Sequence, residues 1–289
     1  MPPFANVPAP VSNLAAVQRG GNIVVQFTLP VFTTEAHPIK PPLTLELHIG
    51  DRRPTPAAVA GGIARYEIPA AEWIGKDAVI TARVVGSNGK PSFWSAPLTV
   101  SVLPPPAVPG RIVAESAATG VRLTWQAEGG HFHILRQAAK EAGYAVVAAD
   151  ITGHEWVDST SEFGKPYSYL VQTFVPLPGG KEAQSDLPEA VSITPEAPLP
   201  GAPTGVRAVT SASSVELSWD TPEGAAPAGY RIYRAAAGGE FAKLAEVGIA
   251  PAYSDSAVEA GKVYRYAVAA IDASGREGPR SAAVEAGLQ

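Results

Sequence analysis

One alternating segment recurs three times along the chain. Its clearest copy spans residues 264–272, where large residues alternate with small or polar ones. Weaker copies lie at residues 167–171 and 78–84. Alternation with a period of two is typical of a β-strand with one buried face. Three copies of one strand predict three copies of one domain, so we expect an all-β, modular protein.

Aromatic residues recur with the same spacing. Phe27, Trp125 and Trp219 each follow an alternating segment at intervals of roughly 95 residues, close to the length of an immunoglobulin-like β-sandwich. Tyr167 and Tyr264 are separated by a similar interval. About seven short strands with intervening turns fit into each interval. The spacing therefore predicts three tandem antiparallel β-sandwiches.

Proline-rich stretches separate the predicted domains. Residues 103–109 contain three consecutive prolines, and residues 194–203 contain four prolines. Such sequences form extended, semi-rigid spacers, so we expect linkers that hold the domains apart in an extended array. The predicted divisions are a Pro-rich lead with little to pack at residues 1–10 and β-sandwiches at residues 11–103, 110–194 and 203–289.

Composition narrows the range of functions. The 289 residues include 22 basic and 27 acidic residues, a formal net charge of −5, with neither sign clustered. No basic patch indicates a nucleic-acid partner, and no apolar run approaches the roughly 20 residues of a membrane-spanning helix. The chain has no cysteine, which excludes disulfides and cysteine-ligated metals.

The third predicted domain resembles a fibronectin type III domain. Residues 215–219 resemble strand B with its core tryptophan, residues 229–234 resemble strand C, and residues 253–255 resemble strand E. Tyr264 and Tyr266 resemble the start of strand F, which implies that Tyr264 is the tyrosine-corner residue.

The second predicted domain resembles the same family, whereas the first departs from it. The matching positions in the second are Trp125, Phe132, Ile134, Trp156, Asp158, Tyr167 and Tyr169. In the first, Phe27 replaces the strand-B tryptophan and Ala78 stands where the corner tyrosine belongs, so we expect Trp73 to fill the vacated volume. The residues expected in the structural core are Phe27, Trp125, Tyr167, Trp219 and Tyr264.

No motif indicates a catalytic centre or a bound cofactor. No Gly-rich phosphate loop joins a strand to a helix, and no nucleophile elbow occurs. His131 and His133 share one face of a predicted strand, near His154. Because Phe132 and Ile134 match inward positions of strand C, we expect both histidines to face solvent. A structural zinc ion needs four ligands, so we expect no metal site. Residues 231–234, with two arginines and a tyrosine, suggest either an exposed contact patch or an ordinary solvated sheet face.

The first domain offers a candidate recognition surface. In this fold the B–C and F–G loops lie together at one end of the sandwich. Here the B–C loop, residues 30–42, carries Phe32 and His37, and the F–G loop, residues 86–93, ends at Phe93 and leads into Trp94. Aromatic residues on long loops are common interface anchors. We predict that this tip contacts a partner; the alternative is that the long loop only covers an imperfect core.

These features favour a non-enzymatic, extracytoplasmic spacer or binding protein with a protein or glycan partner. The alternative is an ancillary domain array of a secreted enzyme or surface assembly, and a metal-dependent enzyme on the His131 and His133 face is a third class. The Pro-rich start resembles the mature beginning of bacterial lipoproteins, just after the lipidated cysteine. That resemblance implies a periplasmic, outer-surface or secreted location and leaves an N-terminal lipid anchor as an open alternative.

Overall fold

The computed structural model describes residues 6–288. These residues form 23 β-strands and one short 3₁₀-helix, Ala71–Trp73, which confirms the all-β prediction. The strands form β-sandwiches within two compact units, Met1–Pro195 and Glu196–Gln289. No helix in residues 6–288 has the length and apolar character needed to cross a bilayer.

The first sandwich is built from two sheets that close over one core. Its strands are β1 (Ser12–Arg19), β2 (Asn22–Thr28), β3 (Thr44–Ile49), β4 (Ala58–Ala60), β5 (Ile63–Pro69), β6 (Asp77–Val85) and β7 (Leu98–Ser101). Strands β1, β2, β5 and β4 are neighbours in one sheet, and β3, β6 and β7 form the other. Alternation along β2 turns Ile23, Val25 and Phe27 into the core.

The second sandwich has the same two-sheet plan. Its strands are β8 (Gly110–Ala117), β9 (Gly120–Gln126), β10 (His131–Ala138), β11 (Ala145–Ile151), β12 (Glu155–Asp158), β13 (Tyr167–Leu177), β14 (Lys181–Gln184) and β15 (Val191–Ile193). One sheet has the order β12-β9-β8. The other has the order β11-β10-β13-β14, with β15 also paired to β13.

The third sandwich repeats the second strand for strand. Its strands are β16 (Thr204–Thr210), β17 (Val215–Asp220), β18 (Gly229–Ala236), β19 (Ala242–Val247), β20 (Ala252–Asp255), β21 (Tyr264–Ile271), β22 (Glu277–Arg280) and β23 (Val284–Ala286). The sheets have the orders β16-β17-β20 and β19-β18-β21-β22, with β23 also paired to β21.

Strand-B aromatic side chains lie in all three cores. Trp125 and Trp219 are buried and meet the rings of Phe132 and Tyr230 edge-on, at centroid distances of 5.3 and 5.1 Å. Such edge-to-face contacts between aromatic rings add to the stabilisation from burial. Phe27 takes this place in the first sandwich and is also buried.

The buried carboxylate of Asp158 joins three strands of the second sandwich, namely β10, β12 and β13, which correspond to strands C, E and F. Asp158 accepts hydrogen bonds from Arg136 Nη1 at 2.7 Å and from Tyr169 Oη at 2.8 Å. Burial alone would raise the pKa of Asp158, but hydrogen bonds from Thr160, Arg136 and Tyr169 outweigh it and lower this pKa below the usual value. Tyr167 is also buried, and its hydroxyl accepts the backbone N–H of Glu162 at 3.0 Å.

The third sandwich contains the same network. Asp255 accepts hydrogen bonds from Arg234 Nη1 and Tyr266 Oη, both at 2.8 Å. Tyr264 is buried, and its hydroxyl accepts the backbone N–H of Glu259 at 3.4 Å. In both sandwiches, the second tyrosine of strand F (β13 or β21) thus bonds an aspartate of the opposite sheet, and the first tyrosine bonds the preceding turn.

The first sandwich fills the corresponding volume with apolar groups. Ala78 and Ile80 of β6 are fully buried. Tyr66 of β5 stacks on Phe27 at a centroid distance of 5.8 Å, and Trp73 packs at the margin of the same core. The Tyr66 hydroxyl has no hydrogen-bond partner among the described residues. Its burial raises the pKa of Tyr66 to about 12.

The first two sandwiches share a sheet. Strand β1 runs parallel to β14, with Gln18 aligned to Ala183 and Arg19 to Gln184. This seam merges sheets from both sandwiches into one sheet of nine strands. The expectation that residues 103–109 hold these two domains apart is therefore wrong, because the edge of β14, a strand that the sequence analysis did not predict, pairs with β1.

Candidate functional site

Two loops and the N-terminal lead meet at one end of the first sandwich. Ser87 Oγ, after β6, donates a hydrogen bond to the carbonyl oxygen of Lys40, before β3, at 3.2 Å. Asn88 Nδ2 donates to the carbonyl oxygen of Asn6 at 3.0 Å. The B–C loop, the F–G loop and the lead therefore build this tip together.

The described part of the lead is packed, contrary to the expectation that it has little to pack. Val7 is buried, and its carbonyl oxygen accepts the N–H of Thr34 at 2.9 Å. The N–H of Ala9 donates to the carbonyl oxygen of Phe32 at 3.1 Å. The long B–C loop supplies backbone groups that pair with residues 6–9, which explains the difference. Residues 1–5 lie outside the described residues.

The three segments enclose a cleft of about 250 Å³. Apolar surface comes from Pro8, Pro38 and Ile39, and polar groups come from Lys40, Ser87 and Asn88. Polar and apolar groups therefore line the cleft in similar measure, and convergent polar groups are what fixes the orientation of a ligand in a binding site. The cleft is smaller than a typical site for a whole small molecule, so its size suits one side chain or one sugar ring of a larger partner.

Three of the predicted contact residues are exposed but do not line the cleft. Phe32 is 51% exposed and Phe93 is 59% exposed. His37 is also exposed, with Nδ1 3.9 Å from Glu35 Oε2. A backbone hydrogen bond of 2.8 Å from Thr33 to His37 holds the loop that carries Phe32 and His37. The tip thus presents one exposed aromatic side chain, Phe32, next in sequence to Thr33, which lines the cleft.

Trp94 lies on a sheet face rather than at the tip. Its ring is half-buried, 4.4 Å from the Arg83 guanidinium and 4.4 Å from the His48 ring by centroid. Arg83 Nε donates to Glu46 Oε2 at 2.6 Å. His48 and Arg83 were not predicted from the sequence as neighbours of Trp94. The alternating patterns of β3 and β6, which align Glu46 with Arg83, would have predicted that these side chains share one sheet face.

The two strand histidines flank one phenylalanine. Each histidine contacts a different carboxylate. His131 Nδ1 contacts the carboxylate of Asp150, and His133 Nε2 lies 2.9 Å from Oε2 of Glu182. The ring of His133 stacks on Phe174 at 4.1 Å, so only 12% of its side chain is exposed. The interpretation of both histidines as solvent-facing is therefore wrong for His133. Across residues 6–288, no three histidine or carboxylate side chains are grouped to hold a metal ion.

The arginine and tyrosine cluster of β18 is not an open aromatic patch. Tyr233 is only 7% exposed, because the Arg280 guanidinium lies 3.6 Å from its ring centroid and its hydroxyl donates to Glu277 at 2.5 Å. Arg234 points to the opposite face, toward Asp255. Of the two alternatives for residues 231–234, the structure supports an ordinary solvated sheet face rather than an exposed contact patch.

Comparisons with known proteins find likeness only among solved structures. No protein-family model and no curated protein sequence matches the chain. The FN1–FN3 domains of chicken CNTN1 match 98% of this chain and 100% of their own, at 17% identity and a TM-score of 0.32. A two-domain fibronectin type III segment of chicken tenascin matches 63% of this chain and 100% of its own, at 13% identity and a TM-score of 0.42.

One bacterial structure is more similar in sequence over a shorter stretch. A Fn3-like protein from Clostridium thermocellum matches 31% of this chain and 92% of its own, at 30% identity and a TM-score of 0.27. The strand order of the sandwiches and the two buried tyrosine corners of residues 110–289 are those of immunoglobulin-like sandwiches. The chain is an array of fibronectin type III-like β-sandwiches.

Proposed function

We propose that this array is a non-enzymatic, extracytoplasmic spacer and binding protein whose first sandwich recognises a protein or a glycan. The observation that carries the proposal is the cleft of about 250 Å³ at the tip of the first sandwich, with the exposed Phe32 next in sequence to Thr33, which lines the cleft. Long loops on a rigid sandwich are a common place for recognition. Exposed aromatic side chains supply contact area with few rotatable bonds.

The exposure of Phe32 favours recognition by the tip over mere coverage of the core. Loops that only covered a weak core would bury their aromatic side chains. Instead Val7 fills the space beneath the loops, while Phe32 remains half-exposed. The second and third sandwiches then act as spacers, and the domain divisions predicted from the sequence remain part of this proposal.

The extracytoplasmic location is a separate part of this proposal. The fibronectin type III-like architecture is compatible with such a location. Fractionation of cells that express the native gene, followed by detection of the chain, tests the location. Recovery only with cytoplasmic markers would contradict it.

A site-specific photocrosslinker tests recognition by the tip. We would replace Phe32 with a photoreactive phenylalanine analogue and place the same analogue at Ile249, which is exposed in the second compact unit, as the control. We expect one recurrent adduct from position 32 that the control does not give, identified by mass spectrometry. A glycan array probed with the intact chain distinguishes a glycan partner. Equal adducts at both positions, together with a blank array, would rule the proposal out.

A further inference from the structure

The cleft at the tip of the first sandwich carries one positive charge that no acidic side chain of residues 6–288 pairs with. Among the described residues that line the cleft, Lys40 is the one charged residue. Lys40 is exposed and forms no ion pair with a described carboxylate. Glu35, the one acidic residue of the B–C loop, lies instead with Oε2 3.9 Å from Nδ1 of His37. The field of an unpaired ammonium group favours an anionic ligand.

Thr33 adds a buried hydroxyl group to the same cleft. Thr33 lines the cleft and is only 8% exposed. Its Oγ1 accepts the N–H of His37 at 3.1 Å. A hydroxyl group also carries one proton that it can donate, and within residues 6–288 this proton has no acceptor. Because a buried donor without an acceptor is costly, a ligand oxygen at this position would be stabilised.

Asn88 supplies a second neutral donor. Its Oδ1 accepts the N–H of Lys90 at 3.0 Å, and its Nδ2 donates to the carbonyl oxygen of Asn6 at 3.0 Å. These two bonds fix the orientation of the amide group. The amide nitrogen has two N–H groups, of which only one is used within residues 6–288. Since Asn88 lines the cleft, the other N–H group is available to a ligand.

This set of groups suits a carboxylate. One ammonium group and two neutral donors, those of Thr33 and Asn88, border the cleft. A carboxylate accepts hydrogen bonds on both oxygens, and hydrogen bonds between charged groups are stronger than neutral ones. The single negative charge of a carboxylate also matches the single positive charge of Lys40, whereas a phosphate group carries about −1.5 to −2.

The apolar lining favours an amino-acid side chain over a sugar. Pro8, Pro38 and Ile39 supply this lining, and no aromatic side chain of residues 6–288 contributes to it. Sugar rings pack their apolar faces best against aromatic rings, whereas the methylene groups of a charged side chain lie readily against aliphatic surface. The volume of about 250 Å³ admits one such side chain.

We propose that the cleft receives the side-chain carboxylate of an acidic residue exposed on a protein partner. Lys40 supplies the opposite charge, and Thr33 and Asn88 donate hydrogen bonds to the carboxylate oxygens. The carboxylate site rests on the proposed function, since it requires that the tip recognises a partner, and it adds the chemistry of that partner. Charge complementarity, rather than buried apolar area, would then supply the specificity.

The test uses the intact chain, labelled with ¹⁵N, and the blocked peptide acetyl-Gly-Glu-Gly-amide at millimolar concentration. We expect the peptide to shift the backbone amide resonances of Thr33, Lys40 and Asn88 in a saturable manner. The neutral peptide acetyl-Gly-Gln-Gly-amide has the same shape and should bind about tenfold more weakly, because it lacks the charge. Binding of the acidic peptide should also weaken as the salt concentration rises, since salt screens exposed charges.

Matched variants place the site. Lys40→Met removes the charge, keeps most of the side-chain length and should weaken binding of the acidic peptide by about tenfold. Lys76→Met removes the same charge from an exposed position of the first sandwich outside the cleft and should leave binding unchanged. Lys40→Glu should reverse the preference, so that acetyl-Gly-Lys-Gly-amide binds more tightly than the acidic peptide.

Three outcomes would overturn the carboxylate site. The acidic and neutral peptides would bind equally, Lys40→Met would behave like Lys76→Met, or a disaccharide of galacturonic acid would bind the tip more tightly than the acidic peptide. The proposed function would survive each of these outcomes if the photocrosslinker at position 32 still gave its own recurrent adduct, because that adduct requires a partner but no carboxylate.

Discussion

Tyr266 donates a hydrogen bond of 2.8 Å to Oδ2 of Asp255 in the third sandwich. The same oxygen accepts Nη1 of Arg234 at 2.8 Å, and the other carboxylate oxygen accepts the N–H of Ala257 at 3.0 Å. One buried carboxylate therefore joins strands β18, β20 and β21. Removal of a partner from such a network leaves buried polar groups without compensation.

We expect Asp255→Ala to destabilise the third sandwich by about 3 kcal/mol, because it leaves Tyr266 and Arg234 without their acceptor. Urea unfolding of the intact chain, followed by tryptophan fluorescence, measures the loss. Glu285→Ala removes an exposed carboxylate from the same sandwich and serves as the control. Equal midpoints for the two variants would show that the network contributes no stability.

Asp158 should make the unit of residues 1–195 sensitive to acid. Because its pKa is lower in the folded chain than the value of about 3.9 in an unfolded chain, its stabilisation is complete above the unfolded pKa. That stabilisation is lost as the pH falls through the folded pKa. We expect Asp158→Asn to be less stable at pH 7 and to lose less stability between pH 4 and lower values. Urea midpoints across this range test this, and parallel curves for both proteins would contradict it.

Tyr66 should limit stability in alkaline solution. Its folded pKa of about 12 is above the unfolded value of about 10, because burial disfavours the charged form. Its ionisation therefore has no effect on stability below about pH 10, and stability falls as the pH rises from about 10 to about 12, where the unfolded chain ionises first. We expect Tyr66→Phe to raise stability at pH 7 by up to about 1 kcal/mol, because an unpaired hydroxyl leaves the core. The Tyr66→Phe variant should also lose less stability than the wild type above about pH 10, as measured by urea unfolding at increasing pH. Tyr144→Phe, at an exposed position, should do neither.

Trp219 and Trp94 should differ sharply in their effect on stability. Trp219 is buried against Tyr230, so Trp219→Ala should cost about 3–5 kcal/mol. Trp94 is half-buried on a sheet face, where its contact with Arg83 is worth about 0.5–1 kcal/mol. Thermal unfolding of both variants compares them. A small effect of Trp219→Ala would mean that the third core does not depend on its largest side chain.

Gln18 should fix the end of the first sandwich. Its side chain is fully buried, donates to the carbonyl oxygen of Leu103 at 2.7 Å and accepts the N–H of Leu103 at 2.9 Å. Gln18→Leu leaves both backbone groups unpaired, at about 1–3 kcal/mol each. We expect calorimetry to show a lower unfolding temperature for the variant than for the wild type. Gln26→Leu, at an exposed position of β2, should keep the wild-type unfolding temperature, and equal temperatures for all three proteins would contradict the prediction.

The sequence predicts the sandwiches well because each core has a strong alternating pattern. Residues 215–219, for example, alternate buried and exposed along β17. Strands β14 and β22 were not predicted from the sequence, because both are short and polar. Strand β22 also contains a glycine and a proline, which normally indicate a turn. Pairing with neighbouring strands, rather than local propensity, forms these two elements.

The candidate site was less predictable than the cores. Loop length directs attention to the B–C and F–G segments, but the burial of Val7 and its hydrogen bond to Thr34 depend on contacts between separate parts of the chain. Trp94 illustrates the same limit. Its neighbours His48 and Arg83 lie on two strands whose register is set by the whole sheet. The seam was missed because its two strands are far apart in sequence and β14 was not foreseen.

The brevity of the seam has a mechanical consequence. Strands β1 and β14 run in the same direction and share only two aligned residue pairs, whereas each sandwich is held by several longer ladders. When tension separates the first two sandwiches, we expect this short ladder to part before either hydrophobic core opens. Residues 103–109 would then straighten and lengthen the molecule while both sandwiches stay folded. The junction would thereby act as a small extensible joint that closes again when the force is removed.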